Sequence, residues 1–336
     1  MIFSYKTRQF LRRFVVFVLV AALLTALALL LGSIWLRRFI VYTPQGVLLD
    51  MAQPPVSNGQ VAVRPDTMTV PIVYPNLEQP PQAQPAQQRL VGYYVTAEQM
   101  QKDLAGLRQQ IAQLPAGTAV LLDVKSFWGY FYYTSALGLG SDSFILSQID
   151  DFIAELTSSQ LYVIARLPAF RDYAYALDNI PSGLATSKGY LWTDEKGCYW
   201  LDPTDDGALT YLIQITKELR SLGFDEVVFQ DFYVPESNKI VFPTDRKEAV
   251  EAAAATLVTA CATDSFAVSF VAYRPDLILP EGNCRLYLAG VAAMDVADML
   301  DQVTVAERMR KVVFFATTND TRYDVCGTLR PLELAH

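Results

Sequence analysis

Histidine is nearly missing from this chain of 336 residues: the single one is His336, the last residue. A Ser-His-Asp triad, an H-E-x-x-H zinc site and a Cys-His pair all need an imidazole held in a folded body. Any catalysis therefore has to run on carboxylates, Lys, Tyr or Cys. Cysteine is scarce as well. Cys198, Cys261, Cys284 and Cys326 stand far apart, with no C-x-x-C spacing. A zinc ribbon or a thioredoxin-type redox motif is unsupported. An even number of cysteines allows disulfides in three pairings, and buried free thiols are the equal alternative. No G-x-G-x-x-G or G-x-x-x-x-G-K-[ST] is present where a first strand would meet a helix, which argues against a nucleotide-binding Rossmann domain. No cofactor motif and no metal-ligand cluster stands out.

Basic residues are sparse through most of the chain. Six of the 27 lie before position 39 and none of the 35 acids does, so the remainder balances at −14. A surface of that sign repels polyanions, so no nucleic-acid partner is expected.

The six basic residues flank one apolar run, Phe14 to Leu36, which is free of charge. At about 1.5 Å per residue its length matches a hydrocarbon core of roughly 30 Å. It exceeds a usual signal-peptide core and lacks an A-x-A-like cleavage site. The expectation is a basic tail over 1–13, a transmembrane helix over 14–36 and a bilayer partner. The excess of positive charge before the span places the N-terminus in the cytoplasm and the body outside a cell membrane. Nine prolines then fall between 39 and 88, and QPPQAQPAQQ there cannot build a core. That stretch reads as an extended, semi-rigid spacer, with VPIVYP as a segment able to dock.

From position 89 the pattern alternates between short apolar runs and amphipathic segments. LVGYYV, TAVLLDV, LYVIARL, EVVFQ and FAVSFVA read as strands. Helices are expected over Ala97–Leu114, Ser147–Ser158, Gly207–Leu222 and Asp245–Ala262. The C-terminal part is less regular: DQVTV and KVVFFATT read as strands and Leu286–Leu300 as helix. Strands separated by helices imply a parallel sheet, and the span of 89–336 fits an α/β (β/α)8 TIM-type barrel. About seven strands are legible, which leaves the barrel shortened or its last unit irregular.

In such a barrel the chemistry gathers at the C-terminal strand ends. Those ends carry Asp123 and Lys125, Arg166, Gln230 and Asp231, then Tyr273 and Arg274. Asp123 and Lys125 are two apart and so share a strand face. The segment YLWTDEKGCYWLDPTDD adds Trp192, Trp200 and Asp202. Aromatic rings stack on the apolar faces of sugars while carboxylates and guanidinium groups bond hydroxyls. The same residues also suit plain packing: buried ion pairs staple barrels, and tryptophans pin long loops.

The order of these motifs resembles the bacterial putative glycoside hydrolase domain family of α-amylase-like TIM-barrel type. The likeness rests on G-x-Y-V-T at Gly92–Thr96, D-V-K at Asp123–Lys125 and Y-x-I-A-R at Tyr162–Arg166. It continues with F-x-D at Phe170–Asp172 and W-x-D-x-x-G-x-x-W-x-D-P at Trp192–Pro203. It ends with the Gly223–Pro235 stretch, and fades beyond Pro235. The resemblance implies a TIM barrel acting on glycosidic bonds, with carbohydrate as its ligand. It also exposes departures. The family reads F-D-Y-x-R-F-P at the fourth strand, whereas this chain reads FQDFYVP, so an ungapped match puts Gln230 at the family acid. An amide cannot act as a nucleophile or carry negative charge. The implied catalytic candidates are Asp231 and Asp202, with Glu236 or Asp123 as other second carboxylates. Asp123, Lys125, Arg166, Trp192, Trp200, Gln230 and Tyr233 are the substrate-binding candidates. If Gln230 faces the barrel axis, Asp231 points elsewhere unless the strand has ended. Three functions remain open: a membrane-anchored glycoside hydrolase, a catalytically inactive glycan binder, and an envelope scaffold.

Overall fold

The computed structural model describes residues 40–43, 46–49 and 89–332. The charge-free run at 14–36, its basic flanks, most of the proline-rich stretch and His336 lie outside the described residues. Among the described residues no helix is long and apolar enough to cross a membrane. The chain divides after Gln79, and its two parts are described separately. In the first, Ile40–Thr43 pairs antiparallel with Gly46–Leu49. The start of the stretch read as an extended spacer is therefore paired strand.

The second part is a closed barrel of eight parallel strands. They are β1 Val91–Val95, β2 Ala119–Asp123, β3 Tyr162–Pro168 and β4 Glu226–Gln230. β5 Ala267–Ala272, β6 Leu286–Leu288, β7 Val312–Phe315 and β8 Gly327–Pro331 complete the ring. The larger helices are α1 Ala97–Ile111, α2 Leu146–Thr157, α4 Asp206–Ser221 and α5 Arg246–Cys261. Shorter ones are α3 Tyr173–Asp178, α6 Val296–Gln302 and α7 Arg308–Lys311.

Local chemistry starts these helices where the sequence signals them. Thr96 and Gln99 form a capping box: the Thr96 hydroxyl accepts from the Gln99 N–H at 3.3 Å, and the Gln99 carboxamide oxygen accepts from the Thr96 N–H at 2.9 Å. Asp205 and Asp245 cap α4 and α5 more simply, their carboxylates accepting from first-turn N–H groups. Helix α4 buries Ala208, Leu212, Ile215 and Leu219, spaced to lie along one stripe against the strands.

Strand alternation sends successive side chains to opposite faces. Val120, Leu122, Val163, Ala165, Val227 and Phe229 pack outward against the helices. Leu121, Ile164, Val228, Val271, Val313 and Leu329 fill the interior. At Gly92 the backbones approach so closely that a Cβ would lie 1.9 Å from the Ala119 carbonyl oxygen, which explains the glycine in β1.

The interior is not wholly apolar. At its N-terminal end Glu226, fully buried, forms an ion pair with Arg285. The same carboxylate accepts from the hydroxyls of Tyr162 and Tyr287, both at 3.0 Å. Burial works against the charge of Arg285, but Glu226 and the two phenols outweigh it and hold its pKa above the usual value.

The C-terminal third differs from the sequence expectation. Leu286–Leu288 is a strand, and helix begins only with a 3-10 turn at Ala293–Asp295 that leads into α6 at Val296. A run of three apolar residues has too little length to show a period of 2 or 3.6. The segment DQVTV is the end of α6 followed by irregular chain, so it is not a strand. The eighth strand, GTLRP, carries Gly, Arg and Pro and so lacks a strand signature, yet it pairs with both β7 and β1. The barrel is therefore complete rather than shortened.

Candidate functional site

Gln230 ends β4 with the same parity as Val228, which belongs to the interior cluster, so the amide faces the barrel axis. Asp123 ends β2 with the parity of interior Leu121, and Arg166 lies on β3 with that of interior Ile164. They are register partners on adjacent strands and meet side by side: Arg166 Nε donates to Asp123 Oδ1 at 2.6 Å. The other Asp123 oxygen accepts from the Ala97 N–H at 3.1 Å, at the start of α1. The Arg166 guanidinium also lies 5.9 Å from the Tyr94 ring centroid and 5.4 Å from that of Phe315. An engaged ion pair, partly exposed, and two rings thus stand at the same end of the interior as Gln230.

Asp231 follows at once but leaves the strand. Its φ of 52° is left-handed, a conformation that costs energy in any residue with a Cβ and that Asp and Asn bear best. The strand has ended at Gln230, so alternation no longer fixes the direction of Asp231. It is only 7% exposed. Among the described residues no hydrogen bond reaches its carboxyl. Burial is the main influence on it and raises its pKa; Arg171, Lys196 and Arg166 act against this through their charge, while Asp194 adds to it.

The W-x-D-x-x-G-x-x-W motif forms a small hairpin. Asp194 Oδ1 accepts from the N–H groups of Lys196 and Cys198 at 2.9 and 3.0 Å. Its Oδ2 accepts from the Trp200 indole at 3.1 Å and pairs with Arg171 at 2.5 Å. Gly197, at φ 76°, supplies the left-handed turn. Burial disfavours the Asp194 charge, but the Cys198 N–H, Trp200 and Arg171 prevail and lower its pKa.

Other candidates stand elsewhere. Asp202 sits in a local turn, where Oδ1 accepts from the Thr204 N–H at 2.8 Å and its hydroxyl at 2.6 Å. Lys125 lies beyond the end of β2, fully buried, in an ion pair with Asp172, and so cannot reach a ligand at the mouth. Trp200 is 3% exposed and packs edge-on against Trp192 and Tyr233. Its ring is a structural pin, not a free sugar platform. Tyr233 is 41% exposed and Tyr273 51%, and their rings meet edge to face at 6.4 Å. Burial raises the pKa of both phenols, and the Asp231 charge is the next cause in each. This tyrosine pair is an exposed aromatic surface next to Trp200; Trp128 and Tyr130, after β2, are exposed as well. Arg171 was hidden in the sequence as the middle residue of F-x-D; the hairpin folded over β3 is what brings it to Asp194 and Asp231.

All four cysteines are buried free thiols. Burial above all pushes the Cys198 thiol up to about 12, which leaves it unreactive. Among the described residues no group of three His, Cys, Asp or Glu side chains could hold a metal ion.

The strain and burial at Asp231 give a direct expectation. Its pKa is raised in the folded state, so ionising it weakens folding. The penalty is absent below about pH 4, where the carboxyl is protonated folded and unfolded alike, and grows as pH rises through the raised folded value. Asp231→Asn, which tolerates the same backbone, should therefore raise the melting temperature at pH 7 and lose that gain in acid. Equal melting curves at both pH values would count against a desolvated carboxyl.

Comparison with known proteins agrees with this geometry. A family model described as a putative glycosyl hydrolase domain matches residues 92–271, well past Pro235. No curated protein matches. Among solved structures, an α-galactosidase from Lactobacillus brevis aligns with a TM-score of 0.50 at 13% identity, over 74% of this chain and 38% of that one. A hypothetical protein from Ruminiclostridium thermocellum aligns at 0.46 and 22% identity, over 53% of this chain and 96% of that one. Ega3 of Aspergillus fumigatus, solved with galactosamine, aligns at 0.43 and 12% identity, over 75% and 95%. The chain spans between about two fifths and three fifths of the α-galactosidases it matches. At 13% identity the likeness to the Lactobacillus brevis enzyme is one of fold.

Proposed function

This chain belongs to the family described as a putative glycosyl hydrolase domain, and from that premise we propose that its barrel mouth binds carbohydrate without hydrolysing it. The observation that carries this is Gln230. Glycoside hydrolysis ordinarily needs two carboxyl groups across the scissile bond, about 5–5.5 Å or 6.5–9.5 Å apart. The strand end that faces the axis presents an amide instead. The nearby carboxylates are engaged: Asp123 by Arg166 and Ala97, Asp194 by Arg171 and Trp200. Glu236 pairs with Arg274 at 3.3 Å, largely exposed. An amide remains a good partner for sugar hydroxyls, since it both donates and accepts. The charge-free run at 14–36 and its basic flanks support a body held outside a cell membrane by a single span.

One observation favours hydrolysis. Asp231 is a buried carboxyl with a raised pKa, as a general acid requires. The two readings part in a single experiment: a glycan array probed with the full chain, then a reducing-end assay on each hit. The binding reading expects hits without turnover, with affinity unchanged in Asp231→Asn. Turnover abolished by that substitution would establish the hydrolase instead.

A further inference from the structure

Beside the mouth, between the chain after β4 and the chain after β5, lies a cavity of about 510 Å³. Its floor is apolar, with Phe232, Val234, Val250 and Leu277, and its rim carries Tyr233 and Tyr273. That volume, with few polar groups over an apolar base, suits a small ligand or one or two sugar rings. Tyr233 packs against Trp200 at 5.0 Å and follows Asp231 by two residues, so the cavity adjoins the candidate site.

The charge of this cavity departs from that of the body. Arg246, Lys247 and Arg274 line it, against Glu236 and Asp276, on a chain whose balance past position 38 is −14. Glu236 already pairs with Arg274. Lys247 reaches Glu251 only at 3.7 Å. Arg246 is the least satisfied: its Nε is buried without a partner, and its terminal nitrogen reaches the Ser237 carbonyl at 3.4 Å. Arg246 and Lys247 also occupy the first turn of α5. That end of a helix is positive, and cations there are unfavourable for folding. A local arrangement that opposes helix stability, and leaves guanidinium donors over, is the kind expected where a ligand is held.

We propose that this cavity takes an acidic sugar, a uronate unit, with its carboxylate on Arg246 and Lys247 and its ring against the tyrosine pair. A guanidinium matches a carboxylate in planar geometry, and the apolar floor and aromatic rim match the ring rather than a bare anion. The inference deepens the carbohydrate-binding reading and rests on it.

The test compares oligogalacturonide with its methyl ester, which keeps the ring and removes the charge, both titrated against the full chain by calorimetry. The acid form should bind about tenfold more tightly than the ester, the scale of one charge-assisted hydrogen bond. Arg246→Gln should erase that difference. Lys247→Gln, at an exposed position, should shrink it without disturbing the fold. Equal affinity for acid and ester, or an unchanged preference in both variants, overturns the proposal. If neutral oligosaccharides bind and oligogalacturonide does not, the acidic-sugar assignment fails while the glycan reading stands. If no glycan binds at all, both fail.

Discussion

Replacing Lys125 with methionine should destabilise the barrel by about 3–5 kcal/mol, the usual result of removing one partner from a buried ion pair. The Lys125 and Asp172 side chains are 0% and 1% exposed and pair directly. The ammonium lies 5.4 Å from the Phe131 ring centroid and 5.8 Å from that of Tyr211. Asp172 also caps α3, accepting from the Tyr175 N–H at 3.1 Å. Without Lys125 the Asp172 charge stays in place, enclosed beside Tyr211, whose phenol is already raised by burial first and by Asp172 next. Methionine fills the volume but offers no donor, so the loss is electrostatic rather than a cavity. The melting temperature of a body this size should fall by roughly 6–20 °C. The double variant Lys125→Met/Asp172→Asn removes both charges, keeps a capping side chain and should recover most of the loss. A single variant within 1 kcal/mol of the parent, by denaturant titration, would show the pair to be dispensable.

The case of Lys125 also shows where the sequence stopped being readable. Alternation correctly put Asp123 on the interior face, because β2 is regular to that residue. It carried Lys125 to the same face by the same count, and failed, because the strand ends first and Lys125 bridges antiparallel to Phe131 instead. The long strands and helices from β1 to β5 announce themselves through periodicity, and α1, α3, α4 and α5 also through Thr or Asp caps. β6 is three residues long, and β8 earns its place only by pairing with neighbours on both sides. That information is tertiary, so no local pattern holds it. At the site the same division applies. Gln230 was legible as an amide at a strand end, and its direction follows from parity. The left-handed turn at Asp231 was not legible, since nothing in FQDFY demands a positive φ. Trp192 and Trp200 looked alike in sequence; the hairpin between them buries Trp200 and leaves Trp192 partly exposed.

Glu226→Leu should be as damaging as the change at Lys125, and at the opposite end of the interior from the mouth. Three donors converge on this one carboxylate: Arg285, Tyr162 and Tyr287. Leucine leaves the Arg285 charge inside the barrel with no counter-charge and takes away the acceptor of two phenol hydroxyls. The expected cost is again about 3–5 kcal/mol, with Tyr162 keeping its bond from the Arg285 guanidinium at 3.0 Å. Glu226→Gln is the informative comparison. It preserves shape and can still accept from the tyrosines, but it removes the charge that offsets Arg285. If packing and hydroxyl bonds carry the network, glutamine should restore most of the stability; if the charge carries it, glutamine should fall close to leucine. The direct ion pair of two buried side chains, with no other acid reaching Arg285 among the described residues, predicts the second outcome. Neither variant touches the residues at the strand C-termini. A fraction that remains folded should therefore bind glycan with the affinity of the parent, which separates a closed, stable barrel from the chemistry at its mouth.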